Sequence, residues 1–331
     1  MRKLMIKGLL LVTMLLFVAT SAFAGSITNF PNGVSSFGIP VIPGMELGKV
    51  WGNTWFVDTG TGSDDNDGKS PDLPFATIQA AINKTGDGKG DRIYVRNGAY
   101  AETLTVSTSH DDIMIIGESR ANVVITGADD ATDTMTVTAD DCTFANLSFA
   151  GYDTGSDISL IKVTGDNNRI ENCDFAGGEY HIEATGTAND TMIVGCNFVT
   201  LSDVTDGAAI LLEDSNNCKV LFCTFNLDAN SDAILHHDAD DLEVGWCTAV
   251  GDDDTGASAG YFVFIIGADT TSELNVHDCR ATLFAALIGE DGSAVAAHGL
   301  GTSDITPTNL IATGDGNNAL GCTTGFDTTD E

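Results

Sequence analysis

The feature that most constrains this chain is a four-position pattern that recurs six times, with cysteine at its third position in five consecutive copies. The second, third and fourth positions follow the first by two, five and seven residues, and successive third positions lie 23 to 32 residues apart. A repeat of about 25 residues that tolerates insertions is typical of a solenoid, whose repeats bury their apolar faces only against each other. The copies are Cys142, Phe144, Leu147, Phe149; Asn168, Ile170, Cys173, Phe175; Thr191, Ile193, Cys196, Phe198; Cys218, Val220, Cys223, Phe225; Leu242, Val244, Cys247, Ala249; and Leu274, Val276, Cys279, Ala281.

The spacing within each copy predicts short strands separated by bends. The first and second positions share the parity of one strand face, whereas the odd step to the third position requires a bend that resets which face points inward. Asn172, directly before Cys173, suits such a bend because asparagine tolerates left-handed backbone angles. A further strand such as Ile158–Val163 precedes each copy. We therefore predict an all-β fold, a single-stranded right-handed parallel β-helix with three strands per turn.

A short helix is predicted before the repeats. In the segment Pro74–Asn83, the apolar residues Phe75, Ile78 and Ile82 fall on one face at helical spacing. An element of this kind at the start of a solenoid covers the open end of its sheets, which would otherwise be an exposed edge. We expect this segment to be an N-terminal capping helix.

The cysteine spacing argues against a disulfide framework. Eight cysteines in an exported protein would normally suggest disulfides. Equivalent positions on adjacent coils, however, lie about 4.8 Å apart, wider than the roughly 3.5–4.5 Å between the Cβ atoms of a disulfide. We expect the five ladder cysteines to be free, buried thiols, and leave open the redox state of Cys142, Cys218 and Cys322. No Cys-x-x-Cys or Cys/His spacing predicts a zinc site.

The ends of the chain differ from its middle. Residues 1–24 have the features of a secretory signal, since three cations precede the apolar run Gly8–Val18 and a small-x-small cleavage site ends at Ala24. Residues 25–54 form an extended arm rich in Gly, Pro, Ser and Asn, and residues 55–282 hold the β-helix. Residues 283–331 are a last coil and cap, or a flexible tail. We expect an extracellular or periplasmic protein without a membrane span, and leave its oligomeric state open.

The net charge of −34 limits the partners. Such a charge repels nucleic acid and anionic membranes, and offers no basic surface to either. The same charge disfavours binding of bare polyuronates, unless cations bridge the protein and the polymer. No nucleic-acid partner is expected.

A candidate calcium site lies in the turn formed by Asp64, Asp65, Asn66 and Asp67, which supplies hard oxygen ligands. The turn lacks the glycine and glutamate positions of an EF-hand, so any calcium would be structural, and no other cofactor is expected. Polar pairs such as Asp140-Asp141 and Asn189-Asp190 precede the repeat rows. They either bind cations in rows or form a hydrogen-bonded ladder.

The segment from Trp55 to about Arg280 resembles the pectin-lyase-like superfamily of right-handed parallel β-helices. The resemblance is carried by the segment from Val57-Asp58 through Gly68, the segment Pro74–Ile82, the strand Ile93–Val95 and rows such as Arg169–Phe175. It implies the fold but not one activity, since the superfamily includes lyases, hydrolases, epimerases, phage tailspikes and non-catalytic adhesive proteins. The arm Ser26–Pro40 resembles the N-terminal segment of β-helical proteins encoded by tailed phages.

The sequence shows no catalytic cluster. A polysaccharide lyase would need a cationic base beside calcium-binding acids, and a glycoside hydrolase would need a pair of acids flanking the bond. The cations of the coil region fall beside no predicted group of acids, and the histidine and aspartate motifs match no complete catalytic pattern. The cations are Arg120, Lys162, Arg169, Lys219 and Arg280; the motifs are His236-His237-Asp238, Asp252–Asp254 and Ala297-His298-Gly299-Leu300.

Two functions remain after these exclusions. The one favoured by the sequence is an exported non-catalytic β-helix, a surface, structural or glycan-binding module of virion or host-surface type. Its partner would be a polysaccharide, or a surface or virion protein bound through residues 25–54. The alternative is a secreted carbohydrate-active enzyme, a polysaccharide lyase or glycoside hydrolase of the pectin-lyase-like fold.

Overall fold

A computed structural model of the protein describes residues 52–290, except 130, 152–157, 187, 200–206, 228–230, 238–240, 252–260, 267–273 and 283–285, together with 35–36, 39–40 and 311–313. The chain divides into two compact units, Met1–Lys49 and Val50–Glu331. The first contains an antiparallel pair, β1 (Ser35–Ser36) and β2 (Ile39–Pro40). The predicted signal, most of the arm, Asp252–Asp254, His298 and Cys322 lie outside the described residues.

The other described strands form three parallel sheets. Sheet I contains β3 (Thr54–Val57), β4 (Arg92–Val95), β7 (Met114–Gly117), β10 (Thr143–Ala145), β13 (Arg169–Glu171), β16 (Met192–Val194), β19 (Lys219–Leu221), β22 (Leu242–Gly245) and β25 (Leu274–His277). Sheet II contains β5 (Gly98–Ala101), β8 (Val123–Thr126), β11 (Ser148–Ala150), β14 (Asp174–Ala176), β17 (Asn197–Val199), β20 (Thr224–Asn226), β23 (Thr248–Val250), β26 (Arg280–Thr282) and β28 (Ile311–Thr313). Sheet III contains β6 (Leu104–Val106), β9 (Met135–Val137), β12 (Ser159–Val163), β15 (Tyr180–Thr185), β18 (Ala208–Glu213), β21 (Asp232–His237), β24 (Tyr261–Ile266) and β27 (Ala286–Glu290).

Each coil runs from sheet I to sheet II to sheet III and then returns to sheet I one coil further on. The repeat rows stack in register: Ile170 pairs with Phe144 on one side and with Ile193 on the other. The predicted right-handed parallel β-helix is therefore confirmed, and the repeat period is one coil.

Aromatic rings fill the interior under sheet II. Phe149, Phe175, Phe198 and Phe225 stack nearly parallel, with neighbouring ring centroids 5.4, 5.1 and 4.8 Å apart. All four side chains are buried. Offset stacking of this kind adds about 0.5–1.5 kcal/mol per pair to the hydrophobic gain, so the row fixes the vertical register of the coils.

The ladder cysteines lie inside the corner between sheets I and II. Each thiol donates a weak hydrogen bond to a backbone carbonyl of the preceding coil, as from Cys173 to Phe144 at 3.7 Å and from Cys247 to Val220 at 3.5 Å. The five ladder cysteines are free and buried, as predicted, and so are Cys142 and Cys218, whose redox state the sequence left open. Burial raises the pKa of the Cys142 and Cys218 thiols to about 12.

The corner between sheets I and II is made by one left-handed residue per coil. From β10 to β26 the connection is two residues long: the left-handed residue, then the inward residue of the row. The N–H of this residue donates to a carbonyl of the next coil, as from Asn172 to Val194 at 2.9 Å. The corner row, in order, consists of Asn146, Asn172, Gly195, Phe222, Trp246 and Asp278.

The corner between sheets III and I is held by a side-chain ladder. The Asp140 carboxylate accepts the N–H of Asp166 at 2.8 Å, and Asp166 accepts that of Asn189 at 3.0 Å. Asn189 continues the ladder by accepting the N–H of Asn216 at 3.0 Å. Of the two interpretations left open by the sequence, the structure matches the hydrogen-bonded ladder.

The predicted capping helix is present as α1 (Ile78–Ile82), whose Ile78, Ala81 and Ile82 side chains are buried. Thr77 caps it by accepting the N–H of Ala80 at 3.2 Å. Glu102, from the first coil, accepts the N–H groups of Ile78 and Gln79 at 2.8 and 3.1 Å. One carboxylate thus joins the helix to the solenoid. Among the described residues, no helix has the length and apolar character needed to cross a membrane.

We expect the thiols to be inert in the folded protein. The seven described cysteines are buried, and a maleimide reacts with the exposed thiolate rather than with a buried thiol. It should therefore label them at least about 100-fold more slowly in native than in urea-denatured protein. Mass spectrometry of the labelled peptides gives the rate for each cysteine. Rapid native labelling of the ladder cysteines would contradict their interior position.

Replacement of Glu102 by alanine should weaken the cap. The substitution leaves the N–H groups of Ile78 and Gln79 without their acceptor, so the free energy of unfolding in urea should fall by about 1–3 kcal/mol. Asp72→Ala, which removes the same charge from an exposed side chain, should change it by less than about 0.5 kcal/mol. Equal effects of the two substitutions would show that net charge, not the cap, controls stability.

Candidate active site

From β4 to β27, the longest connections between consecutive strands join sheet II to sheet III. They are eight residues long before β9, β12 and β18 and ten before β24, whereas the connection before β15 is only the three residues 177–179. Gly177 and Gly178 permit this short connection by adopting φ angles of 74° and 83°. Loop insertions at one edge of a rigid scaffold are a common place for binding and catalytic residues, so these connections favour a site on the outer face of sheet III.

The outer face of sheet III carries one row of side chains in register. Lys162 on β12 pairs with Glu183 on β15, and the row continues through Leu211 and Leu235. The side chains of Lys162 and Glu183 are 35% and 12% exposed. Leu211 and Leu235 are buried and pack with Ala208 in a small apolar cluster. The row therefore places a charged pair beside an apolar patch.

Four polar residues from three neighbouring coils form what we call the sheet III cluster. Lys162 Nζ lies 2.6 Å from Glu183 Oε1. The other oxygen of Glu183 accepts a hydrogen bond from the hydroxyl of Ser159, which is buried. The N–H of Ser159 in turn donates to Asp133 Oδ1 at 2.9 Å. Asp133, Ser159, Lys162 and Glu183 are thus connected in one network.

Burial and charge set the protonation of this cluster. Burial raises the pKa of Asp133; the Ser159 N–H and Lys162 lower it, and the charge of Glu183 raises it again, with a net upward shift. Burial alone would lower the pKa of Lys162, but the hydrogen bond and charge of Glu183, with the charges of Asp133 and Glu213, raise it above its usual value. The cluster therefore combines a carboxyl group of raised pKa with a lysine that burial does not neutralise. Groups whose pKa is shifted by burial and by charged partners are candidates for acid–base chemistry.

Sequence reasoning missed this cluster because of a local insertion. Lys162 precedes the row residue Ile170 by eight positions, but Glu183 precedes Ile193 by ten. Aligning the coils on their repeat rows therefore separates the two side chains by two positions, and the strand register brings them together. The available signal was the alternation within β12, which already predicted that Lys162 faces outward.

The loop 64–67, predicted to bind calcium, is occupied by hydrogen bonds to the protein. Asp64 accepts the N–H groups of Ala76 and Thr77 at 2.9 and 3.0 Å and the Thr77 hydroxyl at 2.9 Å. The amide of Asn66 donates to the carbonyl of Pro74 at 2.7 Å. Within the described ranges, no three His, Cys, Asp or Glu side chains are grouped to hold a metal ion. Calcium at this loop stays a prediction.

The other candidate residues lie apart from the sheet III cluster. His236 is buried, whereas His237 is half-buried with its Nδ1 3.3 Å from Glu213 Oε1, so one ring faces inward and the other outward, as alternation along a strand requires. The remaining described cations of the coil region that form ion pairs do so on sheets I and II. These pairs are Arg120 with Asp174, Arg169 with Glu171, and Lys219 with Glu243.

Comparisons with known proteins match this chain to pectinesterases. The family model "Pectinesterase" matches residues 65–177. A probable pectinesterase/pectinesterase inhibitor 59 of Arabidopsis thaliana is 40% identical over 57 residues, which cover 16% of this chain and 11% of the length of that protein.

Solved structures of pectin methylesterases are similar over most of the chain. The enzyme from carrot has a TM-score of 0.56 at 14% identity, covering 82% of this chain and 87% of that one. The deglycosylated enzyme from Aspergillus niger has a TM-score of 0.50 at 13% identity, covering 83% and 90%. At these identities the similarity shows the pectin-lyase-like β-helix fold alone.

The family match corrects the function that the sequence favoured. A non-catalytic surface or virion module was expected because no cluster of acids and a cation was visible, and the Pectinesterase match contradicts it. The physical reason is that the cluster comes from three coils and is assembled only by the strand register. The findings support the alternative, a carbohydrate-active enzyme. Asp133, Ser159 and Lys162 fall within the matched residues, and Glu183 lies just beyond them.

Proposed function

We propose that the protein is a carbohydrate esterase that removes methyl groups from methyl-esterified polyuronate, with its active site at the sheet III cluster. The observation that carries the proposal is a hydrogen-bond network that joins the Asp133 carboxyl group, through Ser159 and Glu183, to the Lys162 ammonium. Asp133 and Lys162 both lie within the residues that match the Pectinesterase model, and burial raises the pKa of Asp133. An enzyme of this kind would act outside the cell, consistent with the export signal predicted at residues 1–24.

The contacts of the cluster favour ester hydrolysis over the lyase or glycoside hydrolase first considered. A glycoside hydrolase needs two carboxyl groups that are both available to the sugar, but both oxygens of Glu183 are bound by Lys162 and Ser159. A lyase needs a base that removes a carbon-bound proton, and Lys162 is held in its cationic form by Glu183. Ester hydrolysis needs one acid–base group and one charge that stabilises an oxyanion, which Asp133 and Lys162 supply.

The proposed reaction balances with water as the only co-reactant. Ionised Asp133 takes a proton from water as the water oxygen attacks the ester carbonyl, and the Lys162 ammonium stabilises the oxyanion of the tetrahedral intermediate. As the bond to the methoxy oxygen breaks, Asp133 returns the proton to that oxygen and methanol leaves. The new carboxylic acid then ionises. Glu183 is a positioning residue, because it holds Lys162 in place from the neighbouring strand.

The charge of the protein favours the esterified polymer over its product. Each methyl ester removes one negative charge from a polyuronate, whereas a net charge of −34 repels the ionised form. Substrate is therefore admitted as a neutral chain and product is repelled as an anionic one. Added salt should reduce this discrimination by screening the repulsion.

Asp133→Asn should abolish methanol release from highly methylated pectin. Loss of an acid–base group lowers kcat by roughly 10²–10⁴-fold, while the thermal unfolding temperature and circular dichroism spectrum should stay close to those of the wild type. Methanol is measured with a coupled oxidase assay, and reducing ends and unsaturated uronate are measured in the same samples. Chain cleavage without methanol, or an unchanged rate in the folded variant, would refute the proposal.

Glu183→Gln tests positioning, with Glu243→Gln as its matched control. Glu243 pairs with Lys219 across two adjacent strands of sheet I, as Glu183 does with Lys162 on sheet III. Glu183→Gln should lower kcat roughly 10–100-fold through loss of alignment, and Glu243→Gln should not.

The pH profile separates this positioning role from a purely structural one. The charge of Glu183 raises the pKa of Asp133, so its removal should move the acidic limb of kcat/KM to lower pH. A Glu183→Gln enzyme with a reduced rate but an unmoved acidic limb would show that Asp133 is not the group that must ionise.

A further inference from the structure

A second surface feature lies at the corner between sheets I and II, away from the sheet III cluster. In the corner row, Phe222 and Trp246 adopt left-handed φ angles of 56° and 53°, and are 56% and 47% exposed. Asparagine, aspartate and glycine adopt such angles readily, but for a bulky residue they are outliers. The same row has Asn146 and Asn172 on earlier coils. Two strained and exposed aromatic rings add nothing to the interior, and strain of this kind concentrates at functional sites.

The two rings form a rigid platform. Phe222 and Trp246 stack with their centroids 5.0 Å apart and their planes 6° from parallel. Trp246 and His277 form a T-shaped pair, with their ring centroids 4.5 Å apart and their planes at 89°. The Nδ1 atom of His277 lies 3.1 Å from Asp278 Oδ2, and its Nε2 atom lies 3.4 Å from Glu243 Oε1. The platform is thus supported on the side of the later coils.

The other face of Phe222 is turned to the preceding coil, where the corner residue is Gly195. A Cβ atom built on Gly195 would meet no heavy atom within 4 Å, so there is open space over it. Beyond this space, Arg120 donates to the Asn172 side chain at 3.0 Å and to the Gly195 carbonyl at 3.5 Å. We call the space bounded by Phe222, Gly195, Asn172 and Arg120 the corner slot.

The corner slot is wide enough to admit one six-membered ring. Asn172 and Phe222 are two coils apart, which corresponds to about 9.6 Å at the usual strand spacing. A ring in contact with both sides needs about 7–8 Å, since non-bonded carbon atoms approach to about 3.5–4.0 Å. A side chain at position 195 would fill the slot, and glycine leaves it open.

We propose that the corner slot binds one pyranose ring of a polysaccharide. The apolar C–H face of the sugar would stack on Phe222, and its hydroxyl groups would bond to the Arg120 guanidinium, the Asn172 amide and the Gly195 carbonyl. A neutral ring fits better than a uronate anion, because Asp174 already pairs with Arg120 at 3.2 Å. The net charge of −34 disfavours a nucleic-acid base on the same platform.

The corner slot would hold the polysaccharide at a place distinct from the sheet III cluster. It lies at the corner between sheets I and II, and the cluster lies on sheet III. A polysaccharide segment held in the slot raises the effective concentration of other segments at the cluster. This site does not require that the chemistry proposed for sheet III be correct.

Three substitutions test the slot without straining the backbone. Gly195→Asn fills the space with a residue that the same row accepts at Asn146 and Asn172, and Phe222→Asn removes the stacking face. Both should weaken sugar binding roughly tenfold with no fall in thermal unfolding temperature. Leu73→Asn, at a side chain 50% exposed outside the corner row, is the matched control and should bind as the wild type does.

Binding is measured in the full chain carrying Asp133→Asn, so that ester probes are not consumed. The probes are methyl-esterified oligogalacturonides, their de-esterified forms, and neutral cello- and xylo-oligosaccharides, and the readouts are calorimetry and tryptophan fluorescence. Wild-type binding that Gly195→Asn weakens and Leu73→Asn leaves unchanged supports the proposal. Absence of binding to every probe, or equal affinity in Gly195→Asn, overturns it.

Two further outcomes are assigned in advance. If sedimentation shows a wild-type dimer and a Phe222→Asn monomer, the platform is an interface between copies and the sugar proposal fails. Methanol release from a short soluble ester, measured in the chain with native Asp133, should be unchanged by Gly195→Asn. Loss of activity in that assay would mean that the corner slot and the sheet III cluster are not separate sites. If wild-type protein releases no methanol, the esterase proposal fails, but the binding result for the corner slot still holds.

Discussion

The hydrogen bond from one left-handed corner residue to the next coil is the constraint on which the rest of the structure depends. Because residues such as Asn172 turn the chain at a single position and donate to the neighbouring coil, the corner between sheets I and II keeps a two-residue length from β10 to β26. Insertions are then accommodated elsewhere in the coil, and the longest of them enter between sheets II and III. The corner thus decides which sheet receives the loops, and so which face can hold a site.

The same constraint explains why the charged pair on sheet III meets. The stacked interior rows that contain Phe175 and Cys173 fix the register of each coil on the next. Outward side chains on adjacent strands are therefore aligned even without an attraction between them. Lys162 and Glu183 are 35% and 12% exposed, and the loss of hydration on burying two charges offsets much of their attraction, so the attraction does not by itself account for their pairing. The similar pair of Lys219 and Glu243 forms equally well on sheet I. The difference between them is the link to Ser159 and Asp133.

The sequence predicted what the repeat imposes and missed what departs from it. The fold, the buried thiols and the bend at Asn172 follow from spacing, because each coil repeats the same packing problem. The sheet III cluster was missed because an insertion after β15 moves Glu183 two positions out of the repeat. The calcium prediction at Asp64 rested on residue type and stays a prediction, and the contacts of this carboxylate with the N–H groups of Ala76 and Thr77 were not foreseen. Neither of these outcomes could be read from residue type alone, since both depend on which backbone groups come close in the folded chain.

The corner slot shows how a repeat makes functional residues visible. The position before each ladder cysteine holds Asn172, Gly195, Phe222, Trp246 and Asp278 in turn. Once Asn172 is assigned a left-handed backbone, every equivalent residue must share it, and the two aromatic residues then stand out as strained before any coordinate is known. In a globular protein without repeats an exposed tryptophan has no such reference. Here the neighbouring coils supply the expected residue, which is asparagine. The strained backbone and the stacking of the two aromatic residues, and the missing side chain at Gly195, can each be compared with asparagine at the same position. Asparagine adopts the left-handed angle at less cost than phenylalanine or tryptophan, and the sugar site that we propose gives the two rings a role that offsets this cost.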